Sequence, residues 1–254
     1  MDKYRELRRK FDNGEKIVGT TLTILNSSII LEKMSVRDDI DFILFDAEHG
    51  IFDAQNLVPM LQTMRLLKLP SIVRVQDAEY HLVAKLIDMG ADGIMIPRTE
   101  KLQQLRVAVD GLLFSPDGRK GVGGYAQMRA GEQYVDFKKT RFLLPQIESP
   151  EGIKKLPEML DVYGKYISAI IVGPYDMSVI VGTPGRIDSD EMNIAIQQVF
   201  DICKRYNKSC GIFCDNEILA AKYRRMGANV LWMGIDKDYY LRGLNMFLDG
   251  VKNL

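Results

Sequence analysis

The most constraining feature of this chain is a periodic one. Eight short runs of apolar, often β-branched residues recur along its 254 residues, at 17–23, 42–46, 71–75, 93–97, 142–148, 169–173, 210–214 and 230–234. Most are continuously apolar rather than alternating, the habit of parallel strands buried on both faces under helices. Helical patterns lie between them. Segment 54–66 sets Leu57, Met60, Leu61 and Met64 on one face, and 80–89, 190–206, 216–226 and 237–249 each follow a run. Eight strand–helix alternations predict an α/β fold, a (β/α)8 TIM barrel. The rival is an open doubly wound sheet, but no GxGxxG follows a first strand. No Pro/Ser-rich linker or low-complexity tract interrupts the pattern, so residues 1–254 are expected to form a single domain. The longest irregular stretch, 111–139, is expected to emerge near the catalytic end of the barrel.

Charge narrows the partners. Lys plus Arg and Asp plus Glu number 34 each, so no basic footprint for nucleic acid or an anionic membrane is expected. No run of 18 apolar residues predicts a membrane span, and the charged first residues lack the apolar core of an export signal. Three cysteines, Cys203, Cys210 and Cys214, suit a reducing compartment better than a disulfide framework, so a cytoplasmic protein is expected. Cys210 and Cys214 lie four apart on one strand face, where core packing outweighs metal binding.

Chemistry in a barrel of this kind gathers where its strands end. Run two ends in Asp46-Ala-Glu-His49, run three carries Arg74, run five ends in Gln146-Ile-Glu148 and run six in Gly173-Pro-Tyr-Asp176. Burying lone charges there is costly without partners or a metal. Glu148 and Asp176 end neighbouring strands; together they suit a divalent cation, although each could instead cap the helix that follows. Arg74 suits either a developing negative charge on a substrate or a buried ion pair with Asp46 or Glu48. His49 is a natural proton carrier near neutrality, and Asp46 or Asp88 could supply the carboxylate that tunes it. After Gly173 and Pro174, the amides of Tyr175 and Asp176 are placed to meet a carboxylate. None of the eight runs contains a lysine for Schiff-base chemistry, and no nucleophile elbow or phosphate-binding lysine loop is present.

From about Gly19 to Gly234 the chain resembles the HpcH/HpaI family of metal-dependent class II aldolases. The anchors are Phe45-Asp-Ala-Glu-His-Gly50, Val73-Arg-Val75, Gly90-Ala-Asp-Gly-Ile-Met-Ile-Pro97, Gly118-Arg-Lys-Gly-Val-Gly123, Pro145-Gln-Ile-Glu148, Gly173-Pro-Tyr-Asp-Met-Ser178 and Asn216-Glu-Ile-Leu-Ala220. The resemblance implies a barrel whose last helix packs on a neighbouring subunit, in a homo-oligomer (hexamer or trimer). It implies Glu148 and Asp176 as ligands of Mg²⁺, Mn²⁺ or Co²⁺, Arg74 as the stabiliser of a pyruvate enolate and His49 as the base. Asp88 then falls on the position that raises the base's strength, and Gln146 and Tyr175 on positions that touch pyruvate. Lys120 stands where the family usually has Arg, and Arg98, Phe213 and the 20–28 stretch depart from the family pattern on the aldehyde side.

The implied activity is a divalent-metal-dependent lyase that makes or breaks a carbon–carbon bond between a pyruvate enolate and an aldehyde, with pyruvate or another 2-oxo acid as partner. Two alternatives stay open. One is an oxaloacetate decarboxylase, or a biosynthetic carbon–carbon bond former using the same enolate. The other is a non-catalytic 2-oxo acid binding protein.

Overall fold

A computed structural model describes residues 2–252. All eight apolar runs become strands: β1 (Ile17–Leu22), β2 (Phe42–Asp46), β3 (Ser71–Arg74), β4 (Gly93–Ile96), β5 (Phe142–Ile147), β6 (Ala169–Val172), β7 (Ser209–Cys214) and β8 (Val230–Ile235). Each pairs in parallel with the next, and β8 pairs back onto β1, which closes the barrel. The helices are α1 (Lys3–Asn13), α2 (Ser28–Ser35), α3 (Ala54–Leu66), α4 (Tyr80–Met89), α5 (Leu102–Leu112), α6 (Pro150–Tyr163), α7 (Pro174–Ile180), α8 (Asp190–Arg205), α9 (Glu217–Met226) and α10 (Asp236–Val251).

Two apolar layers hold this together. Inside the barrel, alternate residues of the strands meet: Phe42 and Leu44, Ile72, Met95, Phe142 and Leu144, Ala169 and Ile171, Val230 and Trp232. Leu7 and Phe11 of α1 close the floor of that inner cluster. The outward residues of the strands pack under the helices, among them Ile43, Val73, Ile94, Leu143 and Ile170. Burial on both faces is why the strands read as unbroken apolar runs. Gly19 makes room for this packing, because a Cβ there would lie 2.1 Å from the Phe42 ring.

One sequence expectation changes, and one alternative falls. The long irregular stretch joins the end of α5 to the start of β5. It therefore lies at the N-terminal end of the strands, opposite to the catalytic end expected for it. The strand-end acids are not helix caps: Ser149 Oγ accepts from the Gly152 amide to cap α6, while Glu148 accepts the Arg98 amide at 2.9 Å. Helix α7 starts without a side-chain cap, with Asp176 inside its first turn. Cys203, Cys210 and Cys214 are all buried and unpaired by disulfides, and burial pushes the Cys214 thiol up to about 12. Among the described residues, no helix is long and apolar enough to cross a membrane.

Candidate active site

On β2, β3 and β5 the inward series continues past the apolar core into polar residues. Asp46 follows Phe42 and Leu44; Arg74 follows Ile72; Gln146 and Glu148 follow Phe142 and Leu144. All four are buried at the C-terminal mouth of the barrel, where they line a cavity of about 340 Å³ with His49, Gly173, Pro174, Tyr175 and Asp176. The strand ends picked from sequence therefore converge on one space.

Arg74 is gripped twice. Its Nε and Nη2 donate to the two oxygens of Asp46 at 2.9 and 2.7 Å, and Nη1 lies 3.2 Å from Glu48 Oε2. The planar fork needs that bidentate carboxylate to stay charged in a buried place. Ion pairing thus holds Arg74 while its guanidinium still lines the cavity. Asp46 also accepts from the Glu48 and His49 amides, at 3.1 and 3.3 Å, which shapes the turn after β2. The carboxylate beside His49 is Glu48, with Oε1 3.7 Å from Nε2. Burial pushes the Glu48 carboxyl above its usual range, against the pull of Arg74.

Asp88 is not brought to His49 within this chain. It sits in the last turn of α4, which runs back to the N-terminal end of the barrel, whereas His49 follows the C-terminal end of β2. Its partner is the buried ammonium of Lys120, in an ion pair packed against Gly124.

Glu148 is strongly perturbed. Burial drives its carboxyl up to about 7, with the charges of Asp176 and Glu48 adding to the rise. Two side-chain tips crowd over Gly173, where a Cβ would lie 2.0 Å from Glu148 Oε1 and 2.5 Å from Gln146 Nε2. Gln146 Oε1 is buried with no hydrogen-bond partner. Hence the Glu148 and Asp176 carboxylates and the Gln146 side chain line the same cavity beside Gly173, with Arg98 Nη2 3.9 Å from Asp176.

The opposite wall was legible only in part: Tyr175, Phe213 and the 20–28 stretch were named from sequence, whereas Trp232, Ile235 and Lys237 were not. Trp232, the chain's one tryptophan, lies under the Arg74 guanidinium at 5.4 Å and donates its Nε1–H to Thr21 Oγ1. Phe213 packs edge-on to it at 5.1 Å, and Tyr175 sits 6.2 Å beyond, its hydroxyl donating to Asp215 at 2.7 Å. Thr23, Ile24, Ile235 and Lys237 complete that side. Trp232 and Ile235 lie within β8 and Lys237 two residues beyond it, positions with no local signal of a site.

Comparison with known proteins gives the family. Residues 23–242 match the family model described as HpcH/HpaI aldolase/citrate lyase. A 4-hydroxy-2-oxo-heptane-1,7-dioate aldolase from Escherichia coli is 30% identical over 208 residues, covering 80% of this chain and 78% of that protein. A hydroxypyruvate/pyruvate aldolase from Delftia acidovorans is 29% identical over 201 residues, covering 77% of this chain and 74% of that one. The crystal structure of an HpcH/HpaI aldolase from Desulfitobacterium hafniense superposes with a TM-score of 0.89 over 98% of this chain and 97% of that one; at 22% identity it speaks for the fold. With a family model spanning most of the barrel, from the loop after β1 into α10, the chain belongs to the HpcH/HpaI aldolase/citrate lyase family and is an aldolase-type carbon–carbon lyase.

Proposed function

We propose that the cavity binds pyruvate or a related 2-oxo acid with a divalent cation and joins its enolate to an aldehyde, or runs the cleavage in reverse. The carrying observation is that Glu148, buried and raised partly by the charge of Asp176, lines one cavity with Asp176 and with the Gln146 side chain that meets it over Gly173. A buried carboxylate whose proton affinity is raised by burial and by the charge of a second acid is well matched to a hard cation with oxygen ligands. Glu148 and Asp176 would hold Mg²⁺, Mn²⁺ or Co²⁺. The cation would supply Lewis-acid polarisation of the keto acid, which acidifies the neighbouring methyl group.

The chain's own groups do the rest. Arg74, held in place by Asp46, presents donors to the oxygen on which negative charge builds. Gln146 and the α7 amides after Pro174 orient the acid group. His49 Nε2 receives the methyl proton, directly or through an oxygen it holds. The resulting CH₂ carbon attacks the aldehyde carbon, and the new alkoxide takes that proton back to give a 4-hydroxy-2-oxo acid.

The test is exchange of pyruvate methyl protons in D₂O. Exchange that needs added Mg²⁺ or Mn²⁺ is expected; equal exchange in metal-loaded and EDTA-treated protein would overturn the reading. Comparing turnover of oxaloacetate with and without a panel of aldehydes separates a decarboxylase from an aldolase.

A homo-oligomer belongs to the same reading. Helix α10 exposes Tyr240, Leu241, Met246, Phe247 and Leu248, a large apolar surface for a free helix. Asp88 and Lys120 lie at the far end of the barrel from His49, so a role for Asp88 beside a histidine requires a second copy.

A further inference from the structure

The junction of β8 and α10 holds a carboxylate that the proposed chemistry leaves unused. Asp236 is buried, yet it faces five donors. Its Oδ2 accepts the consecutive amides of Thr23, Ile24 and Leu25 at 2.9, 2.9 and 2.7 Å. Its Oδ1 accepts the Thr23 hydroxyl at 2.6 Å and the Lys237 amide at 2.9 Å. Three successive amides on one oxygen form a concave anion nest, here filled by the protein's own side chain. Burial opposes the charge, but the Thr23 hydroxyl and the amides outweigh it and keep the carboxyl below its usual range. Such a bond set fixes the β1–α2 loop far more firmly than loop packing alone.

What that loop touches gives the carboxylate its meaning. The Thr23 carbonyl accepts the Ile51 amide at 2.8 Å. Gly50 is pressed into the same place: a Cβ on it would lie 2.3 Å from the Asp46 carbonyl and 2.8 Å from that of Thr23. The turn carrying His49 is therefore held on one side by Asp46 and on the other by Thr23. The His49 ring itself is 60% exposed, with Glu48 Oε1 3.7 Å from its Nε2. Its place is set by the backbone turn rather than by contacts of the ring.

We propose that Asp236 is a positioning residue for His49: it fixes Thr23–Leu25, and Thr23 in turn holds the Asp46–Ile51 turn that presents the imidazole. This rests on the reading that His49 carries the proton. The consequence is that the start of α10 and the proton carrier share one carboxylate.

Two variants and two readouts test it. Asp236→Asn keeps the shape and removes the charge; Thr23→Val removes only the hydroxyl donor. In full-length Asp236→Asn, the Ile51 amide is expected to exchange with deuterium about tenfold faster, alongside the amides of Thr23–Leu25, while core strands stay protected. With Mg²⁺ present, kcat for pyruvate methyl exchange is expected to drop about 10- to 100-fold, with KM for pyruvate changed less than about threefold. Thr23→Val should move both readouts the same way by less. An Ile51 amide as protected as in the wild type, or a kcat unchanged while that amide loosens, overturns the proposal. If Asp236→Asn does not fold, Thr23→Val decides alone by the same two readouts. If the wild type shows no metal-dependent exchange, the proposed function fails, and the Ile51 amide still decides whether Asp236 holds the turn.

Discussion

Glu148 is the residue on which the proposed cation site turns. Its carboxyl is raised to about 7, so folding favours its protonated form. The stability it lends is fully present below its unfolded value and is lost as pH rises through 7. A cation needs the charged form, so binding must displace a proton below pH 7 and grow tighter as pH rises through it. The melting temperature is therefore expected to gain more from added Mn²⁺ at pH 8 than at pH 6, as a thermal shift assay would read. Glu148→Gln is expected to weaken Mn²⁺ binding by about 100-fold or more in titration calorimetry, without lowering the stability of the metal-free protein. Gly173→Ala makes a matching prediction by shape. With a Cβ 2.0 Å from Glu148 Oε1, it should displace that side chain and abolish metal-dependent exchange even though the strand still forms. Arg74→Lys keeps the charge and loses the fork to Asp46; about a 100-fold or greater fall in kcat is expected.

At the scale of elements, the segment between α5 and β5 is a clamp on the barrel floor. Arg141, fully buried, donates twice to Glu132, to the Thr140 hydroxyl and to the Gln127 carbonyl, while Arg129 bridges Glu132 and Asp92. Although burial works against its charge, the Arg141 guanidinium holds the Glu132 carboxyl down to about 2. That depressed value adds stability above the usual carboxylate range and removes it as pH falls from about 4.5 toward 2. Amides of residues 127–141 should therefore lose protection on acidification before the barrel strands do, a difference that hydrogen exchange at pH 3 against pH 6 would show. Glu132→Gln strands Arg141 and should cost about 3 kcal/mol in urea unfolding. The sequence flagged this segment by its length and placed it at the wrong end. Length reports that a loop exists; only connectivity, helix end to strand start, says which rim it occupies.

The whole molecule is a barrel with one mouth and an unshielded last helix. Phe247→Asp on α10 is expected to shift the sedimentation profile toward a smaller species, because a charge on that exposed apolar face opposes self-association. Unchanged mass in both forms would remove the helix from any interface. The barrel itself was written in the chain: strands buried on both faces need unbroken apolar runs, and eight of them close without edges. Asp46, Arg74, Gln146, Glu148 and Asp176 were legible as cavity-lining residues, since a charged or polar side chain at the end of an apolar strand is costly to bury without a partner. Across-barrel relations were not legible. Which carboxylate neighbours His49, that Trp232 underlies Arg74, and that Asp236 reaches back over two hundred residues to Thr23 all depend on strand register and on the end at which each helix stops. Local periodicity encodes what each segment buries, whereas contacts between distant segments exist only once closure of the sheet brings them together.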